Sequence, residues 1–278
     1  MKRMIITGIL AIGAGATCLM AQAPPPAQAA PPAQAGGPKV PAPKSKAELD
    51  AVQAMIAAAN DPDKAIAGAE ALLTKFADTD FKTIALDVEA DAYQRKGDFD
   101  HMVIFAERAL ETSPQDFQAA LMLAKHYAVH TRENDLDREE KLGKAEKLAN
   151  QVIETMKTLA KPNPQLPDDQ WVEIRKDFAA EGYNAIGLAN LTRKNYVAAA
   201  VAFKSAVDTN SHPEPAYMVR LASALQSGGK NDEAILWCDK VAAMTDAHPQ
   251  VKNVAASIRA AAVKAGGKAP GGAPPQAK

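Results

Sequence analysis

The sequence has few cysteines and no excess of charge of either sign, and both absences exclude classes of protein. Its 278 residues include two cysteines, Cys18 and Cys238. Once an N-terminal signal is removed, Cys238 stands alone, so no intramolecular disulfide can form. It lies on the apolar face of a predicted helix, where we expect a buried, unreactive thiol. The 32 basic and 33 acidic residues nearly cancel, and the basic ones are scattered, which argues against nucleic acid as the partner.

Motifs of catalytic or metal-binding chemistry are also missing. The sequence has no G-x-S-x-G element and no Walker loop, and Asp135-Leu136-Asp137 lacks the glycine and glutamate of a calcium loop. His126 and His130 share a helix face at a spacing that can bind a metal, but they lack the glutamate of H-E-x-x-H and a third ligand. We predict solvent-exposed histidines, no metal, no cofactor and no catalytic residues. A metal-dependent enzyme using this pair is the alternative.

The first 23 residues have the organisation of an export signal. Lys2 and Arg3 form a basic start, the run from 4 to 20 is apolar and uncharged, and Ala21-Gln22-Ala23 has the small-x-small pattern of a cleavage site. The sequence therefore predicts an extracytoplasmic protein, either periplasmic or secreted.

Several features of this segment leave alternatives open. Pro24 hinders cleavage directly before it, so Ala27-Gln28-Ala29 is a second candidate site. The apolar run is a little short for a transmembrane anchor, which remains the alternative. Cys18 could be lipidated, but Gly15 and Thr17 stand where a lipobox prefers leucine and a smaller residue. Membrane attachment is expected only through such a tether.

Two segments consist almost only of proline, alanine, glutamine and glycine. Residues 24–44 read PPPAQAAPPAQAGGPKVPAPK, and residues 266–278 read GGKAPGGAPPQAK. Such segments cannot bury a core, so we predict a disordered, partly polyproline linker and a disordered tail. A solubilising linker is favoured over a docking peptide or an envelope spacer.

The sequence between residues 93 and 114 predicts a helical hairpin. One helix ends near Lys96, Gly97-Asp98 makes a tight turn, and a second helix runs from about Phe99 until Pro114 stops it. Apolar residues at helical spacing give each helix a stripe that packs on the other. Two short helices bury too little surface alone, so the hairpin needs neighbours on both sides.

The hairpin resembles the tetratricopeptide repeat, a family with a period of about 34 residues. With Thr83 as the first position, its signature positions carry Tyr93, Gly97, Phe99, Ala109 and Pro114. Leu86 and Ala90 stand where the pattern prefers tryptophan and glycine. An ordinary helical bundle is the alternative for one hairpin, but the recurrence of the pattern favours the repeat.

The resemblance implies an all-α fold, a right-handed α-solenoid of stacked antiparallel helix hairpins over residues 45–265. Tyr183-Asn184-Ala185-Ile186-Gly187 also matches the W-x-x-L-G signature with tyrosine for tryptophan, and Gly187 lets the next helix pack closely. Arg132–Lys144 is a charged insertion that we expect to be solvated. Prolines at 162–167 break the helix, and whether they also divide the array into two halves is left open. The predicted units are 46–79, 83–116, 117–160, 180–212 and 215–248, followed by a capping helix at 251–265.

In this family the first helices of the units line a concave groove that binds a partner. Carried over by position, the resemblance places nine residues in that groove: Asp87, Asp91, Leu121, Lys125, Asn184, Leu188, Val219, Arg220 and Ser223. Asp87 and Asp91 stand where the family's carboxylate clamp for chaperone C-termini has lysine and asparagine. This departure, with the export signal, argues against a cytosolic chaperone adaptor.

The sequence thus indicates a non-enzymatic, exported scaffold that binds a protein or peptide partner in its concave groove. The alternative is a structural or assembly subunit of a cell-envelope complex, tethered through the N-terminal segment. The family signature is specific for fold and poor for function, so it does not identify the partner.

Overall fold

A computed structural model describes residues 41–268, and the structural statements below concern this part of the chain. These residues form eleven α-helices and no β-strand. The first ten helices pair in chain order as hairpins. The helices are α1 (Lys46–Ala57), α2 (Pro62–Lys75), α3 (Lys82–Lys96), α4 (Phe99–Thr112), α5 (Phe117–His130), α6 (Arg138–Thr158), α7 (Asp168–Thr192), α8 (Tyr196–Thr209), α9 (Pro215–Ser227), α10 (Asn231–Ala243) and α11 (Pro249–Lys264).

Side-chain caps begin several helices where the sequence has serine or aspartate, because these side chains satisfy backbone N–H groups that the helix leaves unpaired. The Ser45 hydroxyl accepts a hydrogen bond from the Glu48 backbone N–H at 3.1 Å. Ser45 is thereby the N-cap of α1. Asp116 Oδ1 accepts from the Ala119 backbone N–H at 2.9 Å at the start of α5, and Asp98 caps α4 in the same way.

The turn between the two helices of a hairpin has one geometry in three of the hairpins. One residue is left-handed in each: Gly97 (φ 75°), Lys194 (φ 62°) and Gly229 (φ 80°). The backbone N–H after it donates to the carbonyl five residues earlier at 2.9–3.0 Å, as in a Schellman cap. The predicted turn at Gly97 is confirmed. At Lys194 a side chain occupies a conformation that favours glycine.

Close approach of α7 and α8 depends on Gly187. A Cβ atom there would lie 2.5 Å from ring carbons of Phe203, a side chain with no solvent exposure. The aromatic ring therefore fills the space that any other residue at 187 would need. The predicted role of Gly187 in close packing is confirmed.

The charged insertion is bonded to the turn between α7 and α8. Its first six residues form a loop, and Arg138–Lys144 lengthen α6 by about two turns. The Arg138 guanidinium donates to the Thr192 carbonyl at 2.8 Å, and Lys194 Nζ lies 2.6 Å from Glu133 Oε1. The expected solvated charged face is therefore partly engaged with the following hairpin, because α6 reaches back toward its turn.

The prolines at 162–167 do not interrupt the stack. Lys161 Nζ donates to the Leu166 carbonyl at 2.8 Å and to Asp168 Oδ1 at 2.5 Å, which closes the connecting segment. Beyond it, α6 and α7 pack so closely that a Cβ on Gly182 would lie 2.9 Å from Ile153 Cγ1. The third and fourth hairpins therefore share one continuous interface.

Both ends of the described region are fastened to the helices. Lys44 Nζ lies 2.9 Å from Asp78 Oδ2, and Lys268 donates its backbone N–H to Asp232 Oδ1 at 2.6 Å. The predicted export signal, Cys18, the linker up to residue 40 and the tail from residue 269 lie outside the described residues.

Two further predictions concern membranes and the thiol. In the described region, the longest and most apolar helices still fall short of what crossing a bilayer requires. Cys238 is buried in α10, as predicted. Burial in apolar surroundings raises the pKa of its thiol to about 11, so the reactive thiolate is rare at neutral pH.

Candidate functional site

The first helices of the hairpins form the inner side of the array. The backbones of α3 and α5, of α5 and α7, and of α9 and α11 approach one another closely, whereas the second helices α4, α6, α8 and α10 show no comparable backbone approach in the described region. Long side chains bridge the second helices instead, as between Lys144 on α6 and Glu107 on α4. A stack whose first helices are closer together than its second helices curves toward the first helices. The face built from α3, α5, α7 and α9 is therefore concave.

The predicted groove residues lie on these inner helices, but several are buried. Asp87, Leu121, Asn184 and Val219 are at most 8 % exposed. Most of their side-chain surface is therefore covered by other parts of the described protein. Leu188 is half-buried and packs against the core, and Ser223 is also half-buried. Partner binding by the nine residues stays a prediction.

Asp87 forms a carboxyl pair with Asp116 at the junction of α3 and α5. Burial, together with the neighbouring Asp116 charge, raises the pKa of Asp87 well above its usual value. Burial also raises the pKa of Asp116, although backbone N–H groups at the start of α5 oppose the rise. Burial is the largest cause for both carboxyl groups, so the junction of the two helices disfavours the charged form of each. The pair joins two hairpins and is not a free acidic surface.

Asp91 and Lys125 are the more exposed charged members of the predicted set. Asp91 Oδ2 lies 2.8 Å from Arg95 Nε, one turn along α3. Lys125 Nζ on α5 lies 2.7 Å from Glu181 Oε2 on α7. Both pairs are open to solvent, where ion pairs contribute little to stability. Their charges remain available for exchange with a ligand.

Arg220 and Asn184 form the best-defined polar feature of the concave face. The Arg220 guanidinium on α9 donates to Asn184 Oδ1 on α7 at 2.8 Å. Among the described residues, no carboxylate forms an ion pair with Arg220. Burial lowers the pKa of the Arg220 guanidinium, and the charges of Tyr217 and Glu214 raise it by less. A half-buried guanidinium held by a neutral amide has donors and charge left for an anionic group.

The two histidines are packed against an aromatic ring. The His126 and His130 rings stack with centroids 4.5 Å apart, and both lie within 5.6 Å of the Phe99 ring. Burial is the main cause that lowers the pKa of His126 to about 4, and the neighbouring His130 adds to it. The expectation of two exposed histidines is thus wrong for His126. In the described region, no three His, Cys, Asp or Glu side chains come together to hold a metal ion.

Sequence reasoning missed a buried glutamate on α3. Glu89 is 1 % exposed, and its Oε2 atom has no hydrogen-bond partner among the described residues. Burial first, and the Glu70 carboxylate second, raise its pKa to about 7, while Arg108 acts in the opposite direction. The spacing along α3 could have predicted the burial of Glu89, because residues 85, 86 and 89 lie on one helix face and the first two are apolar.

A groove opens on the opposite, convex side, where α8 and α10 diverge over α9. Its volume is about 320 Å³. The convex groove, as we name it, is bounded by Val197, Val201, Lys204, Lys230, Glu233 and Trp237. Val197 and Val201 are 66 % and 64 % exposed, which is unusual for two neighbouring valines on one helix face. The sequence did not indicate this groove, because it depends on the spacing of non-adjacent helices.

Comparison with known proteins places this geometry in a known fold. The sequence matches no protein-family model and no curated protein. Among solved structures, the crystal structure of a thermophilic tetratricopeptide-repeat protein from Thermus thermophilus is similar, with a TM-score of 0.52 and 17 % identity. The match covers 76 % of this chain and 98 % of that one. As the sequence predicted, this chain therefore has the tetratricopeptide-repeat fold, an all-α, right-handed α-solenoid of stacked antiparallel helix hairpins.

Proposed function

We propose that this protein is a non-enzymatic scaffold whose concave face binds an acidic segment of a protein or peptide partner. Tetratricopeptide-repeat folds generally mediate binding to protein partners, and they are typically not enzymes. The observation that carries the proposal is Arg220, a half-buried guanidinium bound to the Asn184 amide and to no carboxylate among the described residues. A ligand carboxylate would supply the missing negative charge, and its attraction to the guanidinium would offset the free energy lost when burial removes water from this cation.

The surroundings of Arg220 favour an extended ligand that crosses two inner helices. Lys125 lies further along the concave face, and its partner Glu181 is one helical turn from Asn184 on α7. A ligand carboxylate can replace Glu181 on Lys125 while a second one binds Arg220. The partner class is therefore an acidic peptide or an acidic surface segment, with its carboxylates placed to reach α5 and α9.

The test is a displayed library of random peptides selected on the full chain and on the Arg220→Gln variant. We expect the unchanged protein to enrich peptides with aspartate or glutamate. Their affinity should fall by at least about tenfold for Arg220→Gln, because the charged partner of a buried carboxylate is lost. Lys147→Gln removes an exposed charge from α6, away from the concave face, and serves as the matched control. Equal binding by all three proteins would place the ligand elsewhere.

We also propose that the protein is exported and acts outside the cytoplasm, as a periplasmic or secreted scaffold. The support is the basic start, apolar run and small-x-small site of the first 23 residues. The intact mass of the protein purified from its source should correspond to a chain that begins at Pro24 or Ala30. A chain that retains residues 4–20 would contradict cleavage. A mass increase on Cys18 that disappears with Cys18→Ser would instead establish lipidation.

A further inference from the structure

The chain leaves the described part of the protein beside the convex groove. Gly267 packs against α10 so closely that a Cβ on it would lie 2.7 Å from Asn231 Cβ and 2.9 Å from Ile235 Cδ1. Lys268 then donates its backbone N–H to Asp232 Oδ1 at 2.6 Å. The start of residues 269–278 is thereby fixed to the first turn of α10, the same turn that contributes Lys230 and Glu233 to the groove.

The distance from this anchor to the groove is short. Successive residues on a helix are about 100° apart, so Asp232 and the groove-lining Glu233 are separated by roughly a third of a turn around α10. The exposed Leu236, at 41 %, lies on the outer surface near this route. Ten residues in a polyproline conformation span about 31 Å, which exceeds half the circumference of a helix with its side chains. Residues 269–278 can therefore reach and cross the groove.

The chemistry of the groove matches a proline-rich segment. Residues 269–278 read APGGAPPQAK and contain three prolines, which lack a backbone N–H. A polyproline backbone has no internal hydrogen bonds, so it presents carbonyl acceptors and apolar rings. Val197, Val201 and Trp237 give the groove an apolar and aromatic surface. Its Lys204 and Lys230 ammonium groups pair with Asp208 and Glu233, and each ammonium group has three N–H donors. Grooves with aromatic side chains are the usual docking sites of such segments.

We propose that the convex groove binds the chain's own segment 269–278. Because the segment is attached at the edge of the groove, its effective concentration there is in the millimolar range. An intrinsic affinity that is too weak for binding in solution is thus sufficient for occupancy. The bound segment covers Val197 and Val201, and it leaves the concave face open.

The test uses Trp237 as a reporter in the full chain. Trp171→Phe leaves Trp237 as the single tryptophan. The tail variant then replaces Pro270, Pro274 and Pro275 with serine. We expect acrylamide to quench Trp237 about twice as strongly in this variant, because the groove is no longer covered. Equal quenching with the native and altered tails overturns the proposal.

Two further variants separate loss of docking from a general change in the protein. Val201→Glu places a charge in the groove, so quenching should rise with the native tail, and the serine substitutions should add nothing. Val129→Glu changes a valine of similar exposure on α5 and should preserve the difference between the tails. A free peptide of residues 266–278, added at millimolar concentration, should protect Trp237 only in the serine variant. Equal protection of both proteins shows that the groove is vacant and overturns the intramolecular assignment.

Discussion

Replacing Gly187 with alanine should lower the free energy of unfolding by about 2–3 kcal/mol. The added methyl group would lie 2.5 Å from two ring carbons of Phe203. This ring is fully buried, so it cannot move aside into solvent. Overpacking of a dense core forces side chains off their rotamers or moves the backbone, at a cost of roughly 1–3 kcal/mol. We place this change at the upper end, since the rigid ring faces the glycine directly. Urea unfolding followed by circular dichroism measures it.

Gly143 provides the matched control for this prediction. It also lies inside a helix, but a Cβ there meets nothing within 4 Å. Gly143→Ala should therefore stabilise the protein by about 0.5–1 kcal/mol through helix propensity alone. In a double-mutant cycle, Phe203→Leu should offset part of the cost of Gly187→Ala, because the smaller side chain vacates the contested space. Similar effects of the two alanine substitutions would refute the packing argument.

The Glu89 carboxyl should make the unchanged protein about 2 kcal/mol less stable at about pH 8 than at about pH 5. We expect Glu89→Gln to abolish this part of the pH dependence. The pKa of Glu89 rises from 4.5 to about 7 in the folded protein. A raised pKa in the folded state stabilises the protein below the unfolded-state value, and this contribution is lost as the pH increases through 7. The two proteins are compared by the slope of their unfolding free energy against pH. Any pH-independent loss of stability caused by the glutamine side chain therefore cancels. Urea titrations at several pH values measure it.

Variants of other carboxylates define the source of the effect. Asp87→Asn should remove a further contribution of the same sign, because burial raises the Asp87 pKa well above its usual value. Glu70→Gln should reduce the slope slightly, since the Glu70 charge contributes to the raised pKa of Glu89. Glu111→Gln, on the exposed side of α4, should leave it unchanged. A slope that persists in Glu89→Gln would show that this carboxyl is solvated in the folded protein.

The sequence was sufficient to predict local features such as helix ends, turns and a close helix contact. The turn at Gly97 and the close packing at Gly187 were both predicted, and both are present. Each depends on residues close in sequence or on a glycine whose missing side chain has one clear use. The hairpins and their repetition follow from such local rules, and the fold follows from the repetition.

The concave site was predictable only in part. Counting positions named Asn184 and Arg220 as separate groove residues without predicting that they bond, and it treated Asp87, Leu121 and Val219 as available surface. Their burial depends on how closely the next inner helix approaches, which spacing along one helix does not encode. The pairing of Lys125 with Glu181, 56 residues apart, was missed for the same reason.

What the sequence determined by itself is the succession of capped helices, their apolar stripes and the turns between them, because these depend on interactions within a few residues. Only the tertiary structure decided which charged groups are desolvated and where a groove opens. Stacking brings α5 over Asp87 and leaves Arg220 without an ion-pairing carboxylate among the described residues, and the packing of α8 and α10 on α9 leaves a groove between them. Burial and spacing of this kind are properties of neighbouring hairpins, so one hairpin's sequence cannot specify them.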